Sequence, residues 1–285
     1  VIEGLTPGAA NRVKVAIGDD VCRPITLNAE AKAQIPNGNL DADVTYDGSE
    51  SHWENVVFQG WGTNNKMTTS QGSNYGYCRV SGTIQTDDSH SGKAALIRNV
   101  GWGSGNSAVS DKAVASGIMG KGKCKYTDAG LLHLGSTRAT RPSGYSENDN
   151  KTNDTSAGPI TTSDLDCGIA FSSRPSSLSF WYKYSPKNSS DKGLAEIIIS
   201  SANGTIASQT IYLDASASYQ QKSITFDYPL GTSKAMKIYV KFMSSYDMEY
   251  LKRTNDNFSG PGFGNLDRGT YMGSQLYIDD IELIY

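Results

Sequence analysis

The chain has 285 residues, a net charge of −3, 19% charged residues and 37% hydrophobic ones. That length can bury a sizeable core as one large β-domain or two smaller ones, and the near-neutral balance leaves no electrostatic footprint for nucleic acid. No apolar run reaches the roughly 18 residues that a membrane span needs, while 30 Gly and 16 Tyr point to short strands joined by polar turns.

The first residue is Val1 and no signal peptide precedes it, so a processed or truncated product is expected. Val13, Val15 and Ile17 alternate with polar or small residues; the turn Gly18-Asp19-Asp20 and Ile25-Thr26-Leu27 follow. Two such strands cannot bury a face alone. Residues 31–34 read as a linker, and the main domain opens at Ile35. Cys22, Cys78, Cys124 and Cys167 have no CxxC spacing and no nearby His cluster, which disfavours zinc. As disulfides they would allow three pairings.

An acidic loop after Asp41 leads to Trp53–Phe58 and the turn Gly60-Trp61-Gly62. Tyr75–Val80 reads as a strand, and His90-Ser91-Gly92-Lys93 as a tight turn feeding Ala94–Ile97. Ser110-Asp111-Lys112 has the form of a helix start, and residues 136–168 form one long polar loop. Strands are then expected at 177–184, 194–200, 205–213, 221–228 and 235–243. In the first, Leu178, Phe180, Tyr182 and Tyr184 share one face and Ser179, Trp181 and Lys183 the other. In the last, Met236, Ile238, Val240 and Phe242 face one way and Lys237, Tyr239 and Lys241 the other. After a second loop, 244–273, Leu276 and Ile278 share one parity, while Ile281, Leu283 and Tyr285 share the opposite one. The apolar phase slips at Asp279-Asp280, as a bulge would make it. The series predicts an all-β protein, an antiparallel jelly-roll β-sandwich.

HSGKAAL (90–96), DAGLLHLG (128–135), RPSSLSFWYKYSP (174–186) and GSQLYIDDIELIY (273–285) occur in that order. Together they resemble the carbohydrate metabolism domain family of gut Bacteroidetes surface proteins, over about residues 35–285. The resemblance implies a jelly roll similar to carbohydrate-binding modules, an extracellular place on the outer-membrane surface, and a lipoprotein origin. In that family an immunoglobulin- or fibronectin-like module commonly comes first. GLTPGAANRVKVAIGDD (4–20) resembles the end of a fibronectin-type-III-like module, with Asn11 where that family has Tyr. Residues 1–30 are thus expected to be the C-terminal fragment of such a module. Its missing part, or another surface protein, would be the partner.

NGNLD (37–41) is also similar to the Asn-Gly-x-Phe-Glu opening of jelly-roll carbohydrate-binding modules, and YIDDI to their closing strand. This resemblance implies a structural Ca²⁺ held by Asp41 and Asp279, with backbone carbonyls near Ser91 and Lys93. Leu40 replaces Phe, and the shorter Asp41 replaces Glu. A carboxylate at the bulge would lie beside the core, where an unpaired charge is costly; oxygen-rich calcium coordination would answer that cost. The competing reading has one Asp facing water and the other accepting backbone N–H bonds or pairing with a Lys.

For function, the sequence predicts a non-catalytic glycan-binding domain. Trp61 and Trp102, each between glycines, and Trp181, on the less apolar strand face, are the candidate stacking platforms. The competing placement of each is a ring closing the sandwich or covered by a loop. Trp53, in an apolar run, is expected in the core, and His133, between leucines, is expected to be structural. A glycoside hydrolase would need two carboxylates flanking the bond, and Glu54, Asp87, Asp88, Asp128, Glu196, Asp247, Glu249 and Asp267 are acids without a distinguishing motif. A structural or adhesive surface domain is the third reading. Glycan binding separates it from the first, and turnover separates binder from hydrolase.

Overall fold

The structure is a computed structural model that describes residues 5–47, 55–69, 77–78, 81–104, 126–135, 168–229, 233–251 and 272–285. Among these residues thirteen strands build two sheets: β1 (Trp61–Thr63), β2 (Tyr77–Cys78), β3 (Thr83–Thr86), β4 (Ala94–Ser104), β5 (Tyr126–Asp128), β6 (Leu131–Leu134), β7 (Ile169–Ala170), β8 (Ser177–Ser185), β9 (Gly193–Ser201), β10 (Gly204–Leu213), β11 (Ser216–Thr225), β12 (Lys237–Met243) and β13 (Met272–Ile284). One sheet has seven strands in the order β5-β4-β13-β8-β11, with β2 and β3 also on β4. The other has six, in the order β10-β9-β12-β6-β1, with β7 also on β12. Every pairing is antiparallel. The protein is an all-β antiparallel sandwich.

The alternation read in β8 and β12 sets the two inner faces. Leu178, Phe180 and Tyr184 meet Ile238, Val240 and Phe242, together with Leu276 and Ile278 of β13, in one buried cluster. Phe180 and Phe242 cross edge to face, 5.1 Å apart at 71°. Met236 precedes β12 and is 59% exposed, so it falls outside that row. The strand expected at 221–228 lies at Ser216–Thr225, because the chain turns at once after β10. Tyr239 and Lys241, expected to face outward, are themselves buried. A second apolar layer of Leu131, Leu194, Tyr239, Met243 and Leu251 covers the outer face of the six-stranded sheet there. His133 is buried with Nδ1 3.0 Å from the Leu134 carbonyl, and burial lowers its pKa.

The phase slip at Asp279-Asp280 is a bulge: β8 pairs Ser179 with Glu282 and Trp181 with Asp279, so two residues of β13 stand against Phe180. Asp280 takes a left-handed φ of 47°. The bulge turns the Ile281 N–H out of the ladder to the Gly38 carbonyl, at 2.8 Å. Gly38 has no alternative here, since a Cβ would be driven into the Ile281 oxygen. The Asn37–Asp41 opening is thereby fastened to the closing strand.

Residues 10–28 stand apart from both sheets. Ala10–Val13 pairs with Ile25–Asn28, and Ala16–Ile17 with Asp20–Val21. Val15, Ile17, Val21 and Ile25 are 51–81% exposed, as expected of strands too few to bury a face. Asn11 closes the Thr6–Ala9 turn by accepting from the Thr6 N–H at 2.7 Å and donating to the Thr6 and Ala9 carbonyls.

A buried polar knot joins the chain ends of β9, β12 and β13. Ser245 and Ser274 donate to Asp191 Oδ2, each at 2.6 Å, and Asp191 Oδ1 has no hydrogen-bond partner. Burial raises the Asp191 pKa above its ordinary 3.8, against the hydroxyl bonds that lower it. A carboxylate raised on folding stabilises the fold fully below its unfolded pKa, and that contribution is lost as pH rises through the folded value. Melts from about pH 4 to 7 should therefore show the wild type losing ground to Asp191→Asn as pH increases. Parallel profiles would reject this.

Candidate functional site

The outer face of the seven-stranded sheet is fixed by register. Across β13, β8 and β11, Gln275 lies opposite Ser185, Tyr277 opposite Lys183, and Asp279 opposite Trp181, which in turn faces Gln221. On the other side of β13, Arg98 of β4 faces Gln275 and Leu96 faces Tyr277. The period of two sends all of these outward, because Ile97, Tyr184, Leu276 and Ile278 point into the core.

Lys183 is the hub of this face. Its ammonium lies 4.1 Å from the ring centre of Tyr277 and 5.2 Å from that of Tyr219, within cation–π range. It also forms an ion pair with Asp88, whose carbonyl accepts the Tyr219 hydroxyl at 2.6 Å. Burial, with Asp88, Asp279 and Tyr277 nearby, raises the Tyr219 pKa, so the phenol stays protonated. Tyr277 donates to Gln275 at 3.1 Å and Gln221 to Ser179 at 3.0 Å. Beside this group opens a cleft of about 490 Å³, lined by Lys183, Ser185, Ser216, Gln275 and Tyr277 among others.

Trp181 is half-buried on the same face, and one side of its ring is taken. His90 stacks on it at 3.7 Å and 9°. The turn that carries His90 is gripped by carboxylates from both ends of the domain. Asp279 Oδ2 accepts the His90 and Ser91 N–H groups at 2.8 and 2.9 Å, and its Oδ1 accepts the Asp280 N–H at 2.7 Å. Asp41 Oδ1 accepts the Lys93 N–H at 2.7 Å, and Oδ2 accepts Asn39 Nδ2 at 2.7 Å. His90 Nδ1 lies 2.7 Å from Asp280 Oδ2. Gly92 sits over Asp41 with φ of 56°, where a Cβ would strike the carboxylate. Burial raises the pKa of Asp279, an effect that the three N–H bonds oppose.

The geometry brings Asp41, Asp279, Ser91 and Lys93 together as expected, but in a different chemical sense. Ser91 and Lys93 meet the carboxylates with N–H groups, not carbonyl oxygens. Calcium takes six to eight oxygens, and the oxygens of both aspartates are already turned toward protein donors. In this arrangement backbone dipoles answer the charge of both carboxylates. Among the described residues, His90, Asp279 and Asp280 do bring ligand atoms within 4.8 Å of one another.

Trp61 requires a correction. It begins β1 instead of projecting from a turn, it is 1% exposed, and Nε1 donates to the Asn37 carbonyl at 3.1 Å. It is a core residue and offers no face to a ligand. Trp102 lies in β4 opposite Tyr126, and its side chain is outside the described residues, as is Trp53. Of the acids, Asp88 is tied to Lys183 and Glu196 to Lys241, while Glu54 and Asp267 are outside the described residues. Tyr219, Tyr277, Gln275 and Arg98 are site residues that the sequence reading missed. The parity of Leu276 and Ile278 already sends Gln275 and Tyr277 outward, and was the signal for them. Tyr219 had none, because β11 starts earlier than expected.

No family model and no curated protein matches the sequence. Among solved structures, the chain is similar to a candidate glycoside hydrolase from Bacteroides thetaiotaomicron, with 16% identity, 97% of this chain and 79% of that one covered, and a TM-score of 0.49. It is similar to a family 11 carbohydrate-binding module from Clostridium thermocellum in complex with a β-1,3-1,4-mixed-linked tetrasaccharide, at 12% identity, 79% and 88% coverage, and a TM-score of 0.30. A family 61 module in complex with β-1,4-galactotriose aligns at 8% identity, 71% and 79% coverage, and a TM-score of 0.30.

Proposed function

We propose that this protein is a non-catalytic glycan-binding domain whose site is the outer face of the seven-stranded sheet. The observation that carries the reading is the open cleft beside Tyr277 and Lys183, with Tyr219, Gln275 and Ser185 around it. A sugar ring offers apolar C–H faces and a rim of hydroxyls. Tyrosine rings match the faces, and the amide, ammonium and hydroxyl heads match the rim. An open cleft on the face of a sheet suits a chain of sugars better than a small metabolite. The sequence resemblance to a surface carbohydrate family agrees with this reading, and it implies a place outside the cell.

Tyr277→Ala is expected to weaken glycan retention about tenfold or more, as loss of a central aromatic contact does. Its melting temperature should fall little, because the ring stands on the surface of the sheet. Affinity electrophoresis against a polysaccharide panel, run beside a thermal melt, measures both. A Tyr277→Ala protein that binds as wild type removes the site. Release of reducing ends by the wild type would move the function to hydrolysis.

A further inference from the structure

Most charges on the site face are answered. Lys183 has Asp88 and Lys93 has Asp43. Among the described residues of this face, Arg98 is the exception. It stands opposite Gln275 in the same cross-strand row, and Gln275 in turn lines the cleft. One of its terminal nitrogens donates to the Ser81 carbonyl at 2.7 Å. Its Nε is buried with no hydrogen-bond partner, and among the described residues no carboxylate forms an ion pair with it.

We propose that the glycan is acidic, and that a sugar carboxylate or sulfate ester is received by the Arg98 guanidinium beside Gln275 and Tyr277. The proposal rests on the glycan-binding reading above and names the class of glycan. A guanidinium presents five donors in a planar fork that fits carboxylate and oxyanion geometry in pairs. Withdrawing that cation from water without a counter-ion is unfavourable unless a ligand supplies one. Burial works against its charge and lowers its pKa to about 10, which still leaves it cationic at neutral pH; the nearby Tyr277 acts in the opposite direction. The net charge of −3 sharpens the point. A polyanion gains nothing from the protein as a whole, so any preference for acidic glycan must come from local groups. Gln275 and the Tyr277 hydroxyl would then hold the hydroxyls next to the acidic substituent.

The test compares pairs of polymers that share a backbone and differ in charge: polygalacturonate with its methyl ester, and a sulfated galactan with its desulfated form. The wild type is expected to hold at least one charged member about tenfold more tightly than its neutral twin, as a charge-assisted bidentate contact would give. The pair that shows the effect tells carboxylate from sulfate. Arg98→Gln should abolish the preference while keeping residual binding to the backbone, and Arg98→Lys should restore it poorly because a point charge lacks the fork. A melt of each variant checks folding, and the wild-type comparison needs no variant at all. Equal retention of charged and neutral twins overturns the acidic class and leaves glycan binding standing. Preference unchanged in a folded Arg98→Gln overturns the role of Arg98. No retention of any polymer overturns both the proposal and the reading beneath it.

Discussion

Trp61→Ala is expected to cost about 3–5 kcal/mol of stability, the range for truncating a large buried aromatic. In a domain of this size that lowers the melting temperature by roughly 6–20 °C. The ring is 1% exposed, tilts against Phe242 with centroids 6.4 Å apart, and anchors the Asn37 carbonyl through its indole N–H. Removing it leaves a cavity between the sheets and an acceptor without its donor. Glycan retention measured well below the melt should be unchanged. Urea unfolding of both proteins decides the matter: a midpoint equal to wild type would mean the tryptophan is not part of the core.

Asp279→Ala is the second large effect. One carboxylate holds three backbone N–H groups, two of them in the turn that carries His90 onto Trp181. Leaving a buried donor unsatisfied costs about 1–3 kcal/mol. Water reaches the exposed side of the turn, so roughly 3 kcal/mol is expected in total. Asp279→Asn keeps one acceptor oxygen and should recover part of that loss. Tryptophan fluorescence should also change, because the His90 stack depends on the turn. A chelator separates amide capping from a calcium tie. Capping predicts the same wild-type melt with and without chelator; a shift present in the wild type and missing in Asp279→Ala would restore calcium as the link.

What could be read in advance followed the strength of the local pattern. β8, β9 and β10 were legible within a residue or so, because alternation and punctuating prolines or glycines coincide there. The bulge at Asp279-Asp280 was legible because a one-residue slip reverses every apolar side chain after it. The site was half legible. Trp181 and Lys183 are neighbours in the sequence, and their shared outward face follows from the period of two. Their partners Tyr219, Tyr277 and Arg98 arrive from three other strands, and only pairing order and register bring them together. Trp61 misled for a local reason. Glycine on both sides suggests a turn tip, whereas the strand there is too short for alternation to show.

The strand order of the seven-stranded sheet has a kinetic consequence. β13, the last sandwich strand in the chain, is the one between β4 and β8. As the polypeptide emerges from the ribosome or a translocon, β8 can zip to β11 and β4 to β3, but these two halves have no direct ladder with each other. Each waits with an unpaired edge for a strand not yet made, whose partners such as Ala95 for Ile278 lie far back in the chain. Such long-range closure is slow, on the order of milliseconds to seconds, and open edges in the interval invite association between nascent chains. The arrival of one strand closes the sheet, brings Asp279 under the His90 turn and locks the opening loop through Gly38. On this strand order the His90 turn and the β13 edge of the cleft are completed only once β13 has paired.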